Sequence, residues 1–420
     1  MGLVTIERLK PEMVLGDDLR DRNGRFLLGK GTKITPKHLK IFQMWGIIEA
    51  DIEGVDQRDV EESGESEVSR ELMEQAADLI RPRFACSDPE HPANRALFRL
   101  CVQRYAKELK TAKGKASAKP SSIPVAADME PVEVSGAKRR ELNPAALVSE
   151  GVSLCTLPSM VLEINETINR PSSSAKDIAN VIGKDISLSV RLLKIVNSAM
   201  YGYPSRIDNL SRAVLIVGTR QLGALAMGIK VVTVFKSIPS DLIDMESFLK
   251  HGVACGIICR ILAGFKNIQN SERLFVSGLI HDIGRLILYN QLPDEARGAI
   301  VKARRDSELL YRVEHEIMSC DHSRIGGSLL KKWKLPVSIE NVVTHHHAPS
   351  RSKDPLEPSL VHLADLMANA LGIGSSGECL VPALDQHAWE CLGFSPNVLA
   401  LAVKQIDQLF DEVFHSLTVD

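Results

Sequence analysis

The chain has 420 residues, 44% of them hydrophobic and 25% charged, which excludes a disordered or fibrous protein and points to two or three domains of ~100–200 residues each. A net charge of -2 offers no strong basic field for a phosphate backbone, and 5% aromatics give few platforms for stacked bases. Nucleic acid is therefore disfavoured as a partner.

Residues 1–55 read as a small β-rich module. Met13–Leu15 is followed by the hairpin signal Asn23-Gly24 and the apolar run Phe26-Leu27-Leu28. Thr35-Pro36 opens a helix with Leu39, Phe42 and Trp45 on one face and a stop at Gly46. Ile47, Ile48 and Ile52 suggest a closing strand. Residues 56–110 form a spacer: an acidic stretch, then helices expected over 71–80 and 94–110 around a proline-rich break. Residues 111–141 are poor in large apolar side chains and read as a flexible linker, the expected site of proteolytic cleavage.

Residues 142–420 read as an all-α domain. Ser174 with Asp177 three positions on is a capping box, Asp185 and Asn209 cap the following helices, and Gly218 ends the second of these. Ser395-Pro396 opens a last helix with Leu399, Ala402, Ile406, Leu409, Val413 and Leu417 on one face. No apolar run approaches the ~20 residues that span a bilayer, and the N-terminus lacks the plan of a signal peptide. The eight cysteines include no CxxC pair and read as reduced thiols, so a cytoplasmic protein without membrane contact is expected.

Eight of the 12 histidines fall between His251 and His362, where an even spread would put about three. His281-Asp282 lies between the apolar runs Val276–Ile280 and Ile283–Leu288. A carboxylate there needs a partner or a metal, because burying it bare costs several kcal/mol. Adjacent helical residues point about 100° apart, so both reach one ion only at a helix end or kink. Asp365 has the same apolar setting, and His251, His322 and the run His345-His346-His347 supply further imidazoles. Each has a plainer reading: a hydrogen-bonded core histidine at 251, or dipole-stabilised histidines at the helix end near 345. His315 and His362 read as ordinary surface or core residues.

The order His, His-Asp, His, His-His, Asp resembles the HD superfamily of metal-dependent phosphohydrolases. More closely, residues from about Leu157 to Gly372 resemble an HDOD domain, the HD-related output domain of bacterial signalling proteins. The resemblance is carried by Leu157-Pro158, by Asp185–Ser189 and by Leu192–Ala199 with Tyr201. It continues through Ile207–Leu210, Ala213-Val214 and Val217-Gly218 to His281-Asp282-Ile283-Gly284 and His362–Asp365. Residues 1–55 are more loosely similar to the β domain ahead of some HD-GYP domains. The resemblance implies a mainly α fold and places His251, His281, Asp282, His322, His345, His346 and Asp365 on ligand positions for one or two divalent ions, Fe, Mn, Zn or Ni. His251, His281, Asp282 and Asp365 are expected to converge, with His322 and His345 or His346 lining the same cavity. Three departures stand out: Arg285 replaces a lysine, His347 replaces the last residue of an HHE motif, and Ser247 stands where an acidic ligand occurs.

The implied function is a cytoplasmic regulatory protein acting on other signalling proteins, with a metal site of structural or vestigial catalytic role. The alternative is a metal-dependent phosphohydrolase or cyclic-dinucleotide phosphodiesterase with a phosphorylated nucleotide as ligand. There Asp282 would hold the catalytic metal and Arg285 would steady the phosphate.

Overall fold

The computed structural model describes residues 2–5, 9–20, 26–36, 38–39, 42, 49–53, 69–113, 142–150, 159–203, 205–232, 235, 238–268 and 271–418. The chain divides into two compact units, residues 1–79 with 102–120 and residues 80–101 with 121–420.

In the first unit, β1 (Gly2–Thr5) pairs antiparallel with β4 (Glu49–Ile52), and β2 (Leu19–Arg20) with β3 (Phe26–Leu28). Val4, Leu9, Leu15, Leu19, Ile34, Phe42, Ala50 and Ile52 form its apolar core. The closing strand occurs at 49–52; the expected Asn23-Gly24 turn, Trp45, Gly46 and Ile47-Ile48 lie outside the described residues. Helices α1 (Arg70–Ile80) and α2 (Pro92–Lys113) match the two helices read in the spacer. Residues 111–113 finish α2, and the rest of the expected linker lies outside the described residues.

The spacer is not one body. Residues 80–101 belong to the second unit because their side chains and backbone bond within it. The Arg83 carbonyl accepts the Val381 N–H at 2.7 Å, and the His91 ring meets Trp389 edge to face at 5.7 Å. The proline-rich break, read as a gap between helices, is thus a packed segment.

The second unit continues with α3 (Pro144–Glu150), α4 (Ser159–Asn169), α5 (Ala175–Gly183), α6 (Ile186–Val196), α7 (Leu210–Val217) and α8 (Thr219–Val232). Then come α9 (Met245–Phe265), α10 (Ser271–Ile280), α11 (Ile283–Gln291), α12 (Pro293–Asp306), α13 (Leu310–Met318) and α14 (His322–Lys332). The last are α15 (Val337–His345), α16 (Leu356–Leu371), α17 (Gln386–Leu392) and α18 (Asn397–Thr418). The caps sit where the sequence places them. Ser174 and Asp177 close a capping box on α5, Asp185 and Asn209 cap α6 and α7, and Gly218 ends α7 at φ 103°, a backbone that favours glycine. On α18, Leu399, Ala402, Ile406, Val413 and Leu417 are buried.

Asp185 accepts the Leu188 N–H and pairs with Lys230 Nζ at 2.6 Å, and both interactions hold its carboxyl below the ordinary value. A lowered carboxyl stabilises the fold above its unfolded value of ~3.9, and that stability is lost as pH falls through the folded value. Asp185→Ala is expected to cost about 1–2 kcal/mol at neutral pH. The deficit should shrink near about pH 3. Thermal melts at both pH values check this, and a deficit that does not change with pH would contradict it.

Helix α9 is long and apolar enough to cross a bilayer, contrary to the reading of the sequence, but 72% of its apolar window is buried. It packs against α10, α16 and α18. Small residues let it approach α10 closely. A Cβ on Gly252 would lie 2.5 Å from the Leu279 carbonyl oxygen, and one on Gly278 would lie 2.8 Å from the Cys255 backbone. A Cβ on Gly284 would lie 2.0 Å from the His322 carbonyl oxygen, so α11 meets the start of α14 backbone to backbone. These contacts bring four of the histidine- and aspartate-bearing segments together.

Candidate metal centre

His281 and Asp282 occupy the break between α10, which ends at Ile280, and α11, which starts at Ile283. This is the helix end that two adjacent ligands require. Gly278 O lies 2.8 Å from His281 Nδ1. A carbonyl can only accept, so Nδ1 carries a proton and Nε2, which turns inward, is the nitrogen left to bind a metal once it is deprotonated. His346 is set the same way, with Nδ1 2.8 Å from Val343 O.

Eight donors form two groups of four, each with its ligand atoms within 4.8 Å of one another. The first holds His251, Cys255, His281 and Asp365; the second holds Asp282, His322, His346 and His347. The first is tied by His251 Nε2 to Asp365 Oδ1 at 3.1 Å and His281 Nε2 to Asp365 Oδ1 at 3.5 Å. In the second, His322 Nε2 lies 3.4 Å from His346 Nε2 and 3.0 Å from His347 Nε2. Asp282 stands between them. Its Oδ2 faces His281 Nε2 at 3.3 Å and His251 Nε2 at 3.7 Å, while Oδ1 faces His322 Nε2 at 2.8 Å and His346 Nε2 at 3.6 Å.

A further layer orients these donors. Glu314 on α13 accepts the His322 backbone N–H at 3.0 Å and lies 2.6 Å from its Nδ1. A carboxylate behind an imidazole fixes the ring and raises its basicity as a ligand. Arg285 Nε sits 3.4 Å from Glu314 Oε1, and its Nη1 lies 3.6 Å from Asp282 Oδ2 and donates to Ser376 Oγ. Asn369 donates to Asp365 Oδ1 at 2.7 Å. His362 Nδ1 lies 2.8 Å from the His346 carbonyl, and its Nε2 accepts the Asp385 N–H at 3.0 Å, which pins the turn after α15.

The centre is buried and rich in negative charge. His281, His322 and His346 are fully buried, and Asp282 and Asp365 are 4% and 3% exposed. Burial opposes the charged form of Asp282, but Arg285, His281 and His322 outweigh it and hold the carboxyl well below its usual range. His251 and His281 do the same for Asp365. Burial also opposes charge on the two central imidazoles, yet Asp282 and Asp365 push His281 up to about 10. Glu314 and Asp282 push His322 up to about 9 against burial and Arg285. Burial lowers His346 and, with help from His346, lowers His347 strongly.

Asp282, Asp365 and Glu314 are thus enclosed with one guanidinium, Arg285. Protonated imidazoles or a divalent ion can supply the missing positive charge. Among the described residues neither His281 Nε2 nor Asp282 Oδ1 makes a hydrogen bond of acceptable geometry. A metal would satisfy both atoms, and mixed imidazole and carboxylate donors suit Fe, Mn, Zn or Ni. The residues fit such an ion.

The structure brings together His251, His281, Asp282, His322, His346 and Asp365, six of the residues put forward as ligands. It does not bring His345 in. That residue ends α15 with Nδ1 2.9 Å from Asn341 O, and His347 takes the place in the second group. Helix α15 stops at His345, so the turn that follows swings the next two rings inward. Arg285, put forward as a phosphate-binding residue, is 1% exposed and bonded inside the centre. Cys255, Glu314 and His362 were missed. Cys255 carried a signal, since it lies four residues after His251 on one helix.

Residues 154–349 match the HDOD domain family. This chain carries an HDOD domain. Its fold is shared by an HDOD domain protein of unknown function from Geobacter sulfurreducens, with a TM-score of 0.53, 21% identity and coverage of 66% of this chain and 97% of that one. A proposed phosphohydrolase from Shewanella amazonensis SB2B gives a TM-score of 0.53 at 22% identity, covering 65% of this chain and 98% of that one. A proposed signal transduction protein from Marinobacter aquaeolei VT8 gives 0.51 at 16% identity, covering 74% and 73%. An uncharacterized protein of Treponema pallidum (strain Nichols) is 28% identical over 211 residues, which span 50% of this chain and 40% of that protein. At these identities the structural likeness fixes the all-helical HDOD fold.

Proposed function

We propose that this protein is a bacterial signalling module whose HDOD domain acts by contact with other signalling proteins and is held together by a buried divalent-metal centre. One observation carries the reading. Arg285, the side chain that would steady a phosphate, is enclosed and committed to Asp282, Glu314 and Ser376. A guanidinium enclosed in this way, with Nε and Nη1 already engaged, neutralises buried carboxylates and is poorly placed to receive a substrate. The metal, when bound, supplies positive charge to Asp282 and Asp365 and ties α9, α14 and α16 to the break between α10 and α11. Because only the native state assembles the donors, metal binding is folding energy. The chain itself offers apolar side chains for partner contact, with Ile186 79% exposed on α6 and Leu215 76% exposed on α7.

The phosphohydrolase reading draws on one feature, His347. It is only half-buried and stacks on Tyr311 at 4.2 Å, so the second group is nearer to solvent than the first. A metal there would supply an activated water. Assays with bis(4-nitrophenyl) phosphate and a cyclic dinucleotide in Mn(II) separate the two. The module reading expects no turnover above that of Asp282→Ala. Metal-dependent turnover lost in Asp282→Ala, with an unchanged melting temperature, would reverse it.

A further inference from the structure

The first donor group contains a sulfur that the histidine and aspartate pattern does not include. Cys255 lies one turn after His251 on α9, a spacing that sets two side chains on one face of a helix. The same separation lets a helix present two zinc ligands in a His-x3-His pair. Cys255 Sγ is 3.6 Å from His251 Nε2, and the residue is fully buried. Two further segments complete the group, with His281 at the α10–α11 break and Asp365 on α16. His281 Nε2, itself fully buried and without a hydrogen-bond partner among the described residues, points into the same space.

We propose that Cys255 is a metal ligand, and that His251, Cys255, His281 and Asp365 form a closed four-donor site with one sulfur, distinct in chemistry from the all-nitrogen-and-oxygen second group. This rests on the metal reading above and adds the identity of a donor. Four donors at about 2.0–2.3 Å from a zinc-sized ion make a tetrahedral structural site with no position kept open for water. A thiol binds metal as thiolate, so coordination forms a sulfur–metal bond and releases the S–H proton to water. The consequence is selectivity. A thiolate donor favours Zn(II) over Mg(II) and Mn(II), which prefer carboxylate, carbonyl and water oxygens. The first group would hold the softer ion, and the second group, with three imidazoles and a carboxylate, the more exchangeable one.

The plain alternative is a buried S–H donating a hydrogen bond to His251. Cobalt(II) separates the two, because a cobalt–thiolate bond gives a near-ultraviolet charge-transfer band that imidazole and carboxylate donors do not. Full-length protein, stripped with chelator and titrated with Co(II), is expected to develop that band. Cys255→Ser should abolish it while visible cobalt bands persist. Cys259→Ser, one helical turn further on, should leave it intact. Zinc-edge X-ray absorption of the unmodified protein serves if Cys255→Ser fails to fold, with a sulfur scatterer at ~2.3 Å expected. Cobalt binding with no thiolate band, or zinc with only nitrogen and oxygen neighbours, overturns the Cys255 assignment and leaves the metal reading standing. No cobalt or zinc binding at all overturns both.

Discussion

Asp282→Ala should melt on the order of 10 °C below the unmodified protein and respond less to metal, a loss of about 3–5 kcal/mol. The size follows from where Asp282 sits. Its two oxygens face the two donor groups, with Oδ1 2.8 Å from His322 Nε2 and Oδ2 3.3 Å from His281 Nε2. Removing it withdraws a donor from the second group and a facing carboxylate from the first, and takes a counter-charge from the buried Arg285 guanidinium. Breaking a buried pair costs far more than an exposed one because the surviving charge cannot reach water. Melts of metal-loaded and chelated protein should differ more for the unmodified chain than for the variant. Equal melting temperatures for the unmodified chain and Asp282→Ala would show that Asp282 holds nothing.

Glu314→Ala should lower stability by a similar amount, about 3–5 kcal/mol, without touching any proposed ligand. Glu314 is 2% exposed, stands 2.6 Å from His322 Nδ1 and 3.4 Å from Arg285 Nε, and takes the His322 backbone N–H. Its loss leaves an imidazole without its orienting carboxylate. Metal affinity at the second donor group is therefore expected to fall 10–100-fold. Glu314→Gln, which keeps the shape, should recover part of the stability and less of the affinity. Calorimetric titration beside thermal melts reads the two effects separately. Unchanged affinity in Glu314→Ala would reduce the residue to a packing role.

Much of this was legible in the chain. The helix caps at Ser174, Asp185 and Asn209 declare themselves because side-chain oxygen chemistry is local. The His281-Asp282 pair was legible for a different reason, since a carboxylate amid Val276–Leu288 needs an explanation wherever the helix breaks. The register of the histidine run was not. Three consecutive histidines differ only in which of them α15 includes, and helices end within a residue or two of where patterns suggest. Glu314 was hidden too. On α13 it follows Leu310 and Val313 like any polar helix residue, and only the tertiary approach of α14 turns it inward. Cys255 was passed over because a buried cysteine in an apolar helix is usually a small hydrophobe. The membership of residues 80–101 depends on contacts hundreds of residues away, such as Arg83 with Val381 and His91 with Trp389, which no local pattern carries.

A bound metal is what the buried centre is expected to hold. Elemental analysis of protein purified without chelator and without an affinity-tag metal addresses this directly. About one to two divalent ions per chain are expected, with fewer in Asp282→Ala. Fewer than about 0.1 ion per chain, with a melting temperature indifferent to added Zn(II), Mn(II) and chelator, would contradict it and leave protonated histidines as the partners of Asp282 and Asp365.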